Sequence, residues 1–112
     1  MTRSASAWAV LFLAAALEIL MGIALKLSEG WTRPVPSTVA VASALGSIFL
    51  LAMALRQLPL GVAYVVWTGS GAAGLILVGM MFFGEGVTIT RWVFLSLTLA
   101  GVIGLRLTDA GA

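Results

Sequence analysis

Four acidic residues, Glu18, Glu29, Glu85 and Asp109, hold all the side-chain carboxyl chemistry open to this sequence, which has no histidine and no cysteine. Without cysteine there is no thiol nucleophile, no disulfide framework and no usual zinc site. Without histidine the commonest general base is missing. No catalytic residue, metal ligand or cofactor is expected, and the chain does not read as an enzyme. Glu18 stands apart from the other acids. It falls past the middle of an apolar stretch, whereas Glu29, Glu85 and Asp109 fall in connectors or the tail. A carboxylate near mid-bilayer costs on the order of 2.5–3.5 kcal/mol on insertion scales. Protonation relieves part of that cost, because desolvation penalises the charged form. Such a carboxyl holds a proton or a cation but not easily both, which is the basis of proton/cation exchange. The bland alternative is a protonated glutamate that only hydrogen-bonds a neighbouring helix. Acids at membrane depth default to function.

On the face that carries Glu18, Ala14 lies four residues before and Gly22 four after. Both are small, so they leave room for a helix or a ligand to reach the carboxyl, though small faces are equally a packing device between membrane helices. Further along, Tyr64, Trp67, Gly71 and Gly74 follow at spacings of three, four and three, on one helix face. Aromatic rings above a glycine strip suit a planar or quaternary cation. Tyr64 is in a position to donate a hydrogen bond to Glu18, and Ser47 offers a second hydroxyl. Gly69-Ser70-Gly71-Ala72-Ala73-Gly74 matches a dinucleotide-binding spacing, but it sits inside an apolar run with no strand before it and no acid about twenty residues on. Its glycines instead permit close packing or a bend. Ser96, Ala100 and Gly104, with Gly101 beside them, form a small-residue strip suited to close helix pairing, and these four are expected at a dimer contact.

The elements that position these residues are membrane helices. Of the 112 residues, 62% are hydrophobic and 9% charged, against roughly 25% charged in soluble domains. The mean hydropathy is +1.17. Apolar segments run over about 5–25, 36–55, 58–83 and 89–107, each near the ~20 residues that cross the hydrocarbon. The first runs on past Ala14-Ala15-Ala16 and is followed by three more, so it reads as a span rather than a signal peptide. The expected fold class is all-α integral membrane, one domain over 1–112 with four transmembrane helices. Ser28-Glu29-Gly30 and the pair Pro34 and Pro36 stop the first helix, Ser37 is a candidate cap for the second, Pro59 suits the first turn of the third, and Thr88 or Thr90 caps the fourth. Trp8, Trp31 and Trp92 fall near span ends, where amphipathic rings prefer to lie.

Arg3, Arg56 and Arg106 fall on one side of the membrane and Lys26, Arg33 and Arg91 on the other. Three against three selects no orientation by the positive-inside rule. Either another signal sets topology, or both orientations insert and pair antiparallel. Many transporters place a central site between inverted repeats. No internal duplication is visible here, and two antiparallel copies would supply one.

The order of Glu18, then Leu25-Lys26, Ser28-Glu29-Gly30-Trp31-Thr32-Arg33, Pro36-Ser37, Leu58-Pro59-Leu60-Gly61-Val62-Ala63-Tyr64, and Trp67 through Gly71 resembles the small multidrug resistance family over nearly the whole chain. The resemblance implies an antiparallel, dual-topology homodimer in a bacterial inner membrane that exports small organic cations in exchange for protons. No nucleic-acid partner is implied. It makes Glu18 the shared proton and substrate site, Tyr64 and Trp67 the binding-site aromatics, Ser47 the serine that contacts the glutamate, and the fourth helix the main dimer contact. Trp67-Thr68-Gly69 with Gly71-Ala72, and Gly101 through Leu105, look like the guanidinium-exporting branch. That branch usually has tryptophan where this chain has Met21, and the Ser28-Glu29-Gly30 loop looks more like the quaternary-ammonium branch. Met21, flexible and polarizable, would widen a pocket shaped also by Ala14, Gly22 and Gly71. A passive cation channel and an obligate partner subunit of a paired heterodimer are the alternatives.

Overall fold

The structure is a computed structural model that describes residues 3–108. It consists of α1 (Arg3–Leu27), α2 (Pro34–Ala54), α3 (Leu60–Phe82) and α4 (Ile89–Thr108). With 25, 21, 23 and 20 residues, the helices are about 30–38 Å long at 1.5 Å per residue. All four are long and apolar enough to cross a membrane.

The helix ends follow from local chemistry. Beyond Leu27, Glu29, Gly30 and Trp31 all take positive φ (50°, 70° and 69°), a conformation cheap only for the glycine. Buried Ser28 holds this turn: its hydroxyl donates to Leu25 O (2.7 Å) and accepts from the Trp31 N–H (3.2 Å). α2 starts two residues earlier than position 36. Pro34 and Pro36 both fit its first turn, where a missing N–H costs nothing. Ser37 therefore does not cap α2. It already lies inside the helix, and its hydroxyl donates back to Arg33 O (2.6 Å), while the N-cap, Arg33, makes no side-chain capping bond. Pro59 is the N-cap of α3 rather than a member of its first turn. Gly84 (φ +68°) reverses the chain after α3, and the Glu85 N–H donates to Gly79 O (3.1 Å). Thr88, not Thr90, caps α4, its hydroxyl accepting from the Arg91 N–H (3.1 Å).

α1 packs against α2 and α3, α4 packs against α3, and α2 and α3 barely meet. The spatial order is thus α2–α1–α3–α4, with α1 and α3 inside. Ala7, Trp8, Leu11 and Ala14 of α1 form the core with Leu51 and Ala54 of α2, Leu58, Ala63 and Val66 around the start of α3, and Val102 of α4. All belong to the half of the bundle that contains the start of α1. α4 is seated on α3 by Val102, which fills the space a Cβ would need at Gly69 (2.8 Å from Val102 Cγ2). It also reaches α1 through the Arg106 guanidinium, 4.7 Å over the Trp8 ring, an attractive contact with the ring face.

Trp8 departs from the interfacial role expected of it. It is 3% exposed, inside the core, whereas Trp31 and Trp92 lie open at 59% and 46%. Trp8, Leu11, Ala15 and Glu18 recur every three or four residues, so Trp8 faces inward with the stripe that carries Glu18. The core should dominate stability. Leu11→Ala, at a side chain with no exposure, is expected to lower the unfolding free energy by about 2 kcal/mol or more. Phe49→Ala on the outer face of α2 should cost less than half as much. Reversible unfolding in mixed micelles compares the two.

Candidate functional site

Glu18 projects from α1 toward α3. An ideal Cβ built on Gly71 would lie 2.5 Å from Glu18 Oε2 and 2.6 Å from Cδ, so the carboxyl rests directly on the α3 backbone where only glycine leaves room. Oε2 is buried and accepts no hydrogen bond among the described residues. The glycines on either side serve the same close approach. Leu75 occupies the space beside Gly22, where a Cβ would meet it at 2.6 Å, and Ile19 occupies the space beside Gly74. α3 runs through this region as one helix. Its glycines are used for close approach, the first of the two roles open to them.

One turn from the carboxyl is a second layer. The Ser47 hydroxyl of α2 donates to Ala14 O of α1 (2.6 Å) and accepts from the Trp67 indole N–H of α3 (2.9 Å). This chain of two hydrogen bonds ties three helices together at a buried serine. Tyr64 stands edge-on to Trp67, ring centroids 5.2 Å apart at 71°. Because Ala14 precedes Glu18 by four residues and Trp67 precedes Gly71 by four, the layers are one helical turn, about 5.4 Å, apart.

Some expected residues are brought together and some are not. Ala14 and Gly22 lie on the α1 surface that faces Ser47 or α3, and Gly71 lies on the α3 surface that meets Glu18. Tyr64 is 50% exposed and makes no hydrogen bond to Glu18 among the described residues. Ser47 makes no hydrogen bond to the glutamate among the described residues; its proton goes to Ala14 O. Met21 lines a separate, wholly apolar cleft of about 280 Å³ with Leu25, Trp31, Ala40, Val41, Ala44 and Leu45, on the α2 side of α1. On α4, Ser96 donates to Trp92 O (2.8 Å). Ser96, Ala100 and Gly101 are exposed, and nothing lies within 4 Å of where a Cβ would be on Gly101 or Gly104. The small strip is uncovered in the single chain.

The role of the Ala14 carbonyl was not legible in the sequence, since a main-chain acceptor carries no residue signal. The inward stripe Trp8–Leu11–Ala15–Glu18 was available from spacing alone. Ser47→Ala should remove both hydrogen bonds of the second layer. The expected result is a loss of about 0.6–2 kcal/mol in unfolding free energy together with altered near-ultraviolet circular dichroism from Trp67. Ser43→Ala, whose hydroxyl bonds only its own helix at Val39 O, serves as control.

Comparison with known proteins fits this architecture. The sequence model of the Small Multidrug Resistance protein family matches residues 6–98. A guanidinium exporter of Yersinia pseudotuberculosis serotype I (strain IP32953) is 45% identical over 103 residues, spanning 92% of this chain and 99% of the relative. The guanidinium exporter of Citrobacter freundii is 44% identical over 101 residues, spanning 90% and 96%. That of Proteus vulgaris is 40% identical over 102 residues, spanning 91% and 98%. With four membrane-crossing helices and this match over most of its length, the chain belongs to the Small Multidrug Resistance family of multi-pass transporters of the bacterial inner membrane.

Proposed function

We propose that the chain exports small organic cations, guanidinium-type first and quaternary ammonium second, in exchange for protons, as an antiparallel dual-topology homodimer. The observation that carries this reading is the Glu18 carboxyl on Gly71, with one oxygen buried and unpartnered among the described residues. A buried carboxyl oxygen without a donor costs about 1–3 kcal/mol or more. A proton on the carboxyl or the N–H groups of a guanidinium would relieve that cost, and each displaces the other. In the second layer the Trp67 N–H is already consumed by Ser47, which leaves the ring face for a flat or alkylated cation. The three-against-three distribution of basic residues supports insertion in both orientations. The open strip of Ser96, Ala100, Gly101 and Gly104 supports α4 as the contact between copies. The relatives named as guanidinium exporters support that substrate class.

The direct test is proton release from purified protein on adding guanidinium, then a tetraalkylammonium ion, with Glu18→Gln as control. Release with both, absent in the variant, is expected. Release with guanidinium alone would narrow the substrate class. No release with either from wild-type protein would sink the exchange mechanism for this chain alone and favour a second, related chain as partner. Export that persists in vesicles without a proton gradient would point to a passive channel. Gly71→Ala, which pushes the carboxyl off α3, is expected to weaken cation binding about tenfold, roughly 1.4 kcal/mol, with helix content unchanged by circular dichroism.

A further inference from the structure

A cleft of about 360 Å³ lies at the end of the α1–α2 pair, lined by Ser6, Ala7 and Val10 of α1 and by Met53, Arg56 and Gln57 at the end of α2. Its walls are layered. Ser6 follows the first residue of the α1 span, and Arg56 and Gln57 follow the last residue of the α2 span, so the polar rim lies at the membrane boundary. Val10 and Met53 lie about one turn deeper, in the apolar spans.

Among the described residues the charge at this rim is one-sided. Arg3, Arg56 and Arg106 all fall at this end of the helices. The Arg106 guanidinium is held over the Trp8 ring. Of the described acids, Glu18 is at mid-span and Glu29 and Glu85 are at the opposite end, so no described carboxylate stands at this end to pair with Arg56. Asp109 lies outside the described residues. The carbonyl end of α2, which would oppose an anion, is partly occupied: the N–H groups of Leu55, Arg56, Gln57 and Leu58 fold back onto Leu51 O, Met53 O and Ala54 O at 2.9–3.2 Å. The rim is thus rich in donors, with a guanidinium, a carboxamide and a hydroxyl, above an apolar floor.

We propose that this cleft binds an anionic phospholipid, its headgroup phosphate on Arg56, Gln57 and Ser6 and an acyl chain along Val10 and Met53. A guanidinium meets a phosphate with two parallel hydrogen bonds, and basic pockets between membrane helices take anionic headgroups. Inorganic phosphate offers the same charge but nothing to cover Val10 and Met53. A lipid seated here would bridge α1 and α2, the pair joined deeper in the bundle by Ser47 and Ala14.

Delipidated full-length protein, titrated in detergent and followed by native mass spectrometry, tests this in three arms: phosphatidylglycerol, phosphatidylethanolamine and inorganic phosphate. Saturable phosphatidylglycerol binding is expected, with phosphatidylethanolamine and phosphate weaker. Arg56→Gln should weaken it about fivefold, the effect of one basic residue at a membrane surface. Met53→Trp, which fills the floor and leaves the charge unchanged, should weaken it as well. Arg91→Gln, at the opposite end, should leave it unchanged. The proposal is overturned if Arg56→Gln binds phosphatidylglycerol like wild type, if Arg91→Gln loses as much as Arg56→Gln, or if inorganic phosphate binds as tightly as the lipid.

Discussion

Hydrocarbon offers neither a hydrogen-bond donor nor a counter-charge, so a carboxyl at membrane depth has to be enclosed by protein. In this chain that requirement falls on α1, the helix that carries Glu18, and α1, like α3, packs on two neighbours at once. α2 covers one flank and α3 the other, and α4 is left outside, touching only α3 along the backbone. The carboxyl can lie close to α3 because Gly71 presents no side chain, and the neighbouring contacts of Ile19 with Gly74 and Leu75 with Gly22 hold the two helices at that separation.

Close packing alone would leave the rotation of α1 poorly determined, because small residues on a helix offer little to grip. The Ser47 hydroxyl supplies direction. It accepts from an indole on α3 and donates to a carbonyl on α1, one turn before Glu18. Membrane helices lack a hydrophobic force between them, so interhelical hydrogen bonds and close contacts carry the specificity. The arrangement also protects the aromatic face of Trp67, since its polar atom is satisfied within the protein.

The two halves of the bundle differ. The half with the start of α1 has a consolidated core around Trp8, Leu11, Ala63 and Val66. The opposite half relies on glycine contacts, on a loop whose Glu29 and Trp31 accept left-handed backbone, and on Ser28 to hold that loop.

Much of this was determined by the sequence. A 62% hydrophobic chain with four apolar runs of about twenty residues has no stable state but four membrane helices. A lone acid inside one run marks its own importance, because burial is costly. Prolines and glycines set the helix ends to within two residues, since ring closure and the lack of a Cβ act locally. The order of the helices in space, and what each polar group touches, were decided only by the tertiary structure. Spacing put Tyr64, Trp67, Gly71 and Gly74 on one face without saying that Gly71 would receive Glu18 while Tyr64 faced outward. It put Trp8 near a span end without saying that it would be buried beneath Arg106. Ser47 turned to a main-chain carbonyl and not to the acid, and Met21 came to line a cleft on the other side of α1. Periodicity specifies a face, but the neighbour that a face meets depends on contacts between residues far apart in the chain, which no local pattern encodes.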